Sequence, residues 1–320
     1  MIRSVIAAAA GALAIVGSMP AVASPPRLTV SERFRDPAMP VLVVAHRACH
    51  EPAPHSGMPT TNPENSVTGI ARCIALGVDM AEVDVRRTRD GYLVLMHDET
   101  VDRTTDGHGE VSDLTLAQIK GLRLRQNEGA AGSVLTDQHV PTLAEALDTA
   151  SGKVLLNLDV QAGLYADVVA AVRAAGRADQ VIVKQPASTG SPLLADTAPF
   201  DTIAFMPILV SAGDGGDLPS IAERQVSGHR KPVAIELPRM PASALSGISD
   251  VARKAGVRLW TNTLWEGFVD GFGGDIDALR DPDAVWGRLR AAGISVFQTD
   301  EPEALQRYLG KCDHGECAAR

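Results

Sequence analysis

A regular alternation limits how this chain can fold: short apolar runs rich in β-branched residues are followed, unit after unit, by alanine-rich helical stretches. The runs at 41–45, 80–85, 93–97, 154–160, 181–184, 202–207, 233–237, 259–262 and 295–298 are strand candidates. Helical stretches fit between them at 65–76, 143–150, 165–175, 242–255 and 284–292. Several runs are apolar without alternation, which suits parallel strands covered by helices outside and packed side chains inside. No Gly/Ser linker or shift of composition divides the 320 residues. The pattern therefore predicts one α/β domain over 24–310, a (β/α)8 TIM barrel, with nine candidates for eight strand places. The polar, glycine-bearing segment 98–140, with a helical piece at 116–122, reads as a small insertion (about 99–140) after the third strand.

Charge narrows the partners. Lys plus Arg number 30 against 39 Asp plus Glu, a net charge of −9, the wrong sign for gathering nucleic acid or anionic lipid. An anionic small molecule would need a local cation. At the start, Arg3 precedes an apolar run from Val5 to Gly17, and the small residues Ala21 and Ala23 follow it, the pattern of a secretory signal peptide over residues 1–23. The run falls short of the ~20 residues of a spanning helix. The expected mature chain is soluble, without a stable membrane anchor, and periplasmic or secreted. Export permits disulfides. Cys312 and Cys317, in the tail 311–320, are spaced to close a small loop, which is favoured over a zinc site with His314. Cys49 and Cys73 read as buried thiols, although spacing alone does not settle pairing.

Polar groups gather where the strand candidates end. His46-Arg47 follows the first, Glu82-x-Asp84 lies in the second, His97-Asp98 closes the third, and Asn157-x-Asp159 lies in the fourth. Side chains two apart on a strand share a face, so Glu82, Asp84 and Asp159 converge if the strands are in similar register. Three carboxylates inside an apolar barrel stay ionised only with a cation among them, and an all-oxygen set suits one Ca²⁺ or Mg²⁺. Two imidazoles at neighbouring strand ends supply a proton acceptor and a proton donor near neutrality. Arg47 offers a planar fork for phosphate oxygens, so the pocket reads as one for a small-molecule phosphodiester. Taken singly each feature has a plainer reading, Pro63-Glu64-Asn65-Ser66 as a capped helix start among them. Only their joint order is specific.

That order resembles the glycerophosphodiester phosphodiesterase family. It is carried by His46-Arg47-Ala48, Pro63-Glu64-Asn65-Ser66, Glu82-Val83-Asp84-Val85, Thr88-Arg89-Asp90-Gly91, His97-Asp98, Pro141-Thr142-Leu143, Asp159-Val160-Gln161 and Thr299-Asp300-Glu301-Pro302. The resemblance spans 41–309, strongest before residue 150 and near the end. It implies a TIM barrel that hydrolyses glycerophosphodiesters to glycerol 3-phosphate and an alcohol with a divalent cation. Carried over by motif, His46 and His97 become the acid/base pair, Arg47 a phosphate ligand, and Glu82, Asp84 and Asp159 the metal ligands.

Departures from the family pattern carry their own expectations. Ala48 stands where the family has glycine, so a positive φ there is costly. Asp159 is a methylene shorter than the family's glutamate. Gln161 replaces its lysine, and Lys184, ending the next strand, is the expected substitute beside the phosphate. Trp260 in Trp260-Thr261-Asn262 is assigned to the substrate wall, with barrel packing as the equal alternative. The loop from His46 to Glu64 is long, and its His50 and His55 read as solvated side chains rather than substrate contacts or ligands of a second metal. Two rival functions remain: a related barrel phospholipase cleaving phosphoinositide or sphingomyelin, and a non-catalytic exported binding protein. Net charge and scarce aromatics weigh against a bilayer-working lipase. Paired proton carriers weigh against pure binding.

Overall fold

A computed structural model describes residues 29–34, 37–38, 40–50, 62–130, 132–213 and 215–311. The signal peptide, His55 and the tail residues Cys312, His314 and Cys317 lie outside the described residues. The strands are β1 (Leu42–Ala45), β2 (Met80–Arg87), β3 (Leu93–Leu95), β4 (Arg123–Arg125), β5 (Leu135–His139) and β6 (Leu155–Val160). They continue with β7 (Val181–Ala187), β8 (Ala204–Leu209), β9 (Ala234–Glu236), β10 (Arg258–Asn262) and β11 (Val296–Thr299). Parallel pairing runs β1-β11-β10-β9-β8-β7-β6-β2, and β2 returns to β1, closing an eight-stranded barrel. The TIM barrel is the observed fold.

The ninth strand candidate explains itself. β3 is not a barrel strand; it pairs antiparallel with β2 through Val85↔Leu95 and Arg87↔Leu93. The insertion therefore follows the second barrel strand, not the third. The segment that ends in β4 and β5, an antiparallel ribbon, has a small core of its own, Val94, Met96, Val101, Val111, Ile119, Leu124 and Val140.

The period-2 rule hidden in the apolar runs decides what faces inward. One interior layer holds Val44, Met80, Leu155, Ile182, Met206, Ala234, Trp260 and Val296. Two residues further along these strands come His46, Glu82, Asn157, Lys184, Glu236, Asn262 and Gln298, all buried. The intervening residues, among them Val43, Ala81, Leu156, Val183, Phe205, Leu259 and Phe297, pack outward in the core shared with the helices. A dry layer thus supports a polar one toward the strand C-termini, the face where barrel chemistry is sited. The opposite end is covered by a short helix, Val30–Phe34, whose Val30 and Phe34 join the dry layer.

Candidate active site

The turn after β1 is built in the left-handed region, with φ +48° at Arg47 and +65° at Ala48. Backbone and side-chain bonds hold it there. Ala48 N–H donates to the Glu82 carbonyl (2.7 Å), Arg47 N–H to Glu82 Oε2 (2.9 Å), and Asn65 N–H to the Arg47 carbonyl (2.9 Å). Ala48 thus does take the positive φ that glycine would adopt at lower cost. Cys49, next in line, is disulfide-bonded to Cys73 on the helix Val67–Leu76, correcting the reading of two buried thiols.

Register brings the three expected carboxylates together: Asp84 on β2 faces Asp159 on β6. Glu82, Asp84 and Asp159 each offer an oxygen, and these lie within 4.8 Å of one another. Burial, and then the charge of Asp84, push Glu82 well above the usual carboxylate range; burial and Asp159 push Asp84 up. Asp159 is held low, chiefly by Lys184. Such a set fits a hard divalent cation, because oxygen donors destabilised by mutual repulsion are relieved by a double positive charge. Asn65 clamps the cluster: its Nδ2 donates to Asp84 Oδ2 (2.8 Å), and its Oδ1 accepts from Asp84 N–H (2.9 Å).

Lys184 enters from β7. Its Nζ lies 3.1 Å from Asp159 Oδ2, 3.8 Å from Glu82 Oε1 and 3.7 Å from Glu236 Oε2. The ammonium therefore lies among the acidic groups of the mouth. Glu236, which sequence reasoning missed, accepts from Asn262 Nδ2 (3.1 Å). Trp260 does not line the mouth. It is fully buried in the dry layer and donates from Nε1 to Asn262 Oδ1 (3.0 Å), so the packing alternative is correct.

Both imidazoles are oriented by carboxylates. His46 Nδ1 pairs with Asp300 Oδ1 at 2.9 Å, and His97 Nδ1 with Asp98 Oδ1 at 2.7 Å, which leaves each Nε2 for chemistry. Both lie close enough to Asp159 to lower its pKa, which places them at one end of the barrel. His97 reaches there from the turn after antiparallel β3: Met96 N–H donates to the Asp84 carbonyl (3.1 Å), and Arg86 Nε to the His97 carbonyl (2.9 Å). Asp98 is held low first by Arg103, which also donates to Glu64; Glu64 in turn accepts from Arg47 Nη1 (2.9 Å). Burial works against the Arg47 charge, but Glu64 and Asp84 outweigh it and raise its pKa. Among the described residues the buried Arg47 Nε has no hydrogen-bond partner, a donor suited to a phosphate oxygen. Glu64 and Asn65 thus do more than start a helix; only Ser66 is its cap. His50 is buried rather than solvated, with Nε2 3.2 Å from the same Asp300 Oδ1.

The model of the glycerophosphoryl diester phosphodiesterase family matches residues 55–184, the stretch that holds Glu82, Asp84, His97, Asp159 and Lys184. Over that stretch, which is less than half of its length, the chain is similar to that family. Residues 205–309 match a domain of unknown function. A glycerophosphodiester phosphodiesterase of Caldanaerobacter subterraneus subsp. tengcongensis is 40% identical over 129 residues, 39% of this chain and 47% of that one. Human glycerophosphodiester phosphodiesterase 1 is 42% identical over 93 residues, 29% and 28% of the two chains. The chain thus covers less than half the length of these curated relatives. A glycerophosphoryl diester phosphodiesterase of Parabacteroides distasonis superposes with a TM-score of 0.68 at 19% identity, covering 89% of this chain and 93% of that one. An Oleispira antarctica phosphodiesterase, solved in complex with the product sn-glycerol-3-phosphate, gives 0.57 at 20% identity over 84% and 96%. At such identities these structures speak for the barrel fold alone.

Proposed function

We propose that this chain is an exported, divalent-cation-dependent hydrolase that cleaves glycerophosphodiesters to glycerol 3-phosphate and an alcohol. The observation that carries the reading is the meeting, at one barrel mouth, of three carboxylates with two imidazoles, each imidazole oriented by its own aspartate. The Cys49–Cys73 disulfide supports an oxidising compartment, periplasmic or extracellular. Glu82, Asp84 and Asp159 would hold Ca²⁺ or Mg²⁺, which supplies Lewis-acid neutralisation of phosphoryl charge.

The chain's own groups then do the following. Arg47 and Lys184 bind phosphoryl oxygens and place phosphorus between the two Nε2 atoms. His46, its Nδ1–H committed to Asp300, accepts at Nε2 the proton of the glycerol hydroxyl next to the phosphate. That oxygen bonds to phosphorus as the bond to the alcohol breaks. His97, oriented through Nδ1 by Asp98, donates from Nε2 to the departing oxygen, leaving a cyclic glycerol phosphate. In the second step water attacks phosphorus and gives its proton to His97, as the bond from phosphorus to the glycerol oxygen that attacked first breaks and His46 returns its proton to that oxygen. Both imidazoles end as they began.

The test is release of glycerol 3-phosphate from glycerophosphocholine and glycerophosphoethanolamine, compared with intact phospholipid, with and without EDTA. The proposal expects release from the soluble diesters that EDTA abolishes and excess cation restores. Cleavage confined to intact phospholipid supports the lipase reading, and no cleavage at all supports a binding protein.

A further inference from the structure

We propose that His46, His50, Glu128 and Asp300 form a second cation site, which takes a nitrogen-seeking transition ion such as Zn²⁺ and silences the imidazole it captures. Each of the four offers one donor atom, and the four atoms lie within 4.8 Å of one another. Two imidazole nitrogens from one loop, His46 Nδ1 at 2.9 Å and His50 Nε2 at 3.2 Å, converge on the single oxygen Asp300 Oδ1. Their rings stand edge to face, centroids 6.3 Å apart, so neither blocks the other's approach to a shared point. Bonds of ~2.0–2.2 Å to nitrogen and oxygen set neighbouring donors of a tetrahedral ion about 3.4 Å apart, so a small outward shift admits the ion. The Glu128 side chain is 47% exposed, and among the described residues Arg47 Nη1 lies 4.0 Å from its Oε1.

The chemistry of the two clusters sorts ions. Glu82, Asp84 and Asp159 present only oxygen and suit Ca²⁺ or Mg²⁺, whereas two imidazoles with two carboxylates suit Zn²⁺. The consequence for hydrolysis rests on the acid/base role proposed above for His46. Metal at Nδ1 confines the imidazole's remaining proton to Nε2, and the ring can no longer accept one. Zinc at this site is therefore an inhibitor that works without displacing the cation of the carboxylate cluster.

The experiment titrates full-length, metal-stripped protein with Zn²⁺ against a chromophoric chelator, in Ca²⁺ sufficient to fill the all-oxygen cluster. Wild type is expected to bind one more Zn²⁺ than His50→Ala, and Glu128→Gln, altered at a half-exposed side chain, to bind that ion at least ~10-fold more weakly. Equal uptake by wild type and His50→Ala, unchanged affinity in Glu128→Gln, or displacement of the ion by Ca²⁺ overturns the site. Release of glycerol 3-phosphate by wild type is expected to fall over the same Zn²⁺ range. Undiminished release with the ion bound refutes the inhibition and leaves the site standing. No release from zinc-free protein refutes the function proposed above and the inhibition with it, while the binding result stands by itself.

Discussion

The Lys184 ammonium lies 3.1 Å from the Asp159 carboxylate on the adjacent strand, with Glu82 and Glu236 each within 4.0 Å of it. Strand register produces this contact: Val183 sits beside Leu158, so the next residue on each strand comes side by side at the mouth. Gln161 is exposed. Lys184→Met should therefore lower kcat/KM for a glycerophosphodiester by about 10²-fold, as expected for loss of a cation that binds the transferred phosphoryl group, and Gln161→Ala by less than twofold. Steady-state kinetics of the two variants check this, and equal small effects would remove Lys184 from the site.

Buried carboxylates tie stability to pH and to metal. Glu82 and Asp84 are raised above their ordinary values of 4.5 and 3.8, mainly by burial. Burial, with the Asp300 charge adding to it, pushes Asp275 up to about 7 despite the hydrogen bond from Thr263. The folded chain keeps these protons at a pH where the unfolded chain has lost them, so stability falls as pH rises from the ordinary carboxylate range toward 7. In EDTA the unfolding midpoint should drop between pH 5 and pH 7. Cation at a hundred times its Kd should add about 2.7 kcal/mol, and more of the gain should appear at pH 7, where its ligands cost less to ionise. A cation-induced gain that is larger at pH 5 would contradict the assignment of Glu82 and Asp84 as ligands.

The Cys49–Cys73 disulfide pins the turn that carries His46 and Arg47 to the helix Val67–Leu76, across 24 positions of sequence. Closing a loop of that length should stabilise the fold by about 3 kcal/mol. Cys49→Ala with Cys73→Ala, measured by denaturant unfolding, should lose about that much. A loss below ~0.5 kcal/mol would show that the left-handed turn is held by its hydrogen bonds to Glu82 and Asn65 alone.

The barrel is legible because its strands alternate between an inner and an outer packed environment at a fixed period, and the helices between them carry their own apolar faces. Periodicity does not report strand direction, however, and 93–97 looks the same whether it joins the barrel or folds back on β2 as β3 does. Glu82, Asp84 and Asp159 could be paired from sequence because register follows from parallel neighbours. Asp300 stood inside a quoted motif without a role, since its partner His46 lies 254 positions away and meets it only when β1 closes against β11. Glu236 gave even less signal: it is a single acid ending a short apolar run, and only Lys184 and Asn262 give it meaning. Trp260 misled because a tryptophan two residues before a polar strand end fits either layer, and the dry layer has the space.

The central claim is that His46 accepts a proton and His97 delivers one to the leaving alcohol, and leaving-group dependence tests it most directly. Rates of His46→Ala and His97→Ala should be compared on glycerophosphocholine and on the p-nitrophenyl diester of glycerol phosphate, whose leaving group needs no proton. On glycerophosphocholine each variant should lose at least ~10²-fold. On the nitrophenyl diester, single-turnover release of nitrophenol by His97→Ala should recover most of its rate, since only the first step is followed, while that by His46→Ala should not. Equal losses on both substrates for His97→Ala, or recovery by His46→Ala, would contradict the assignment.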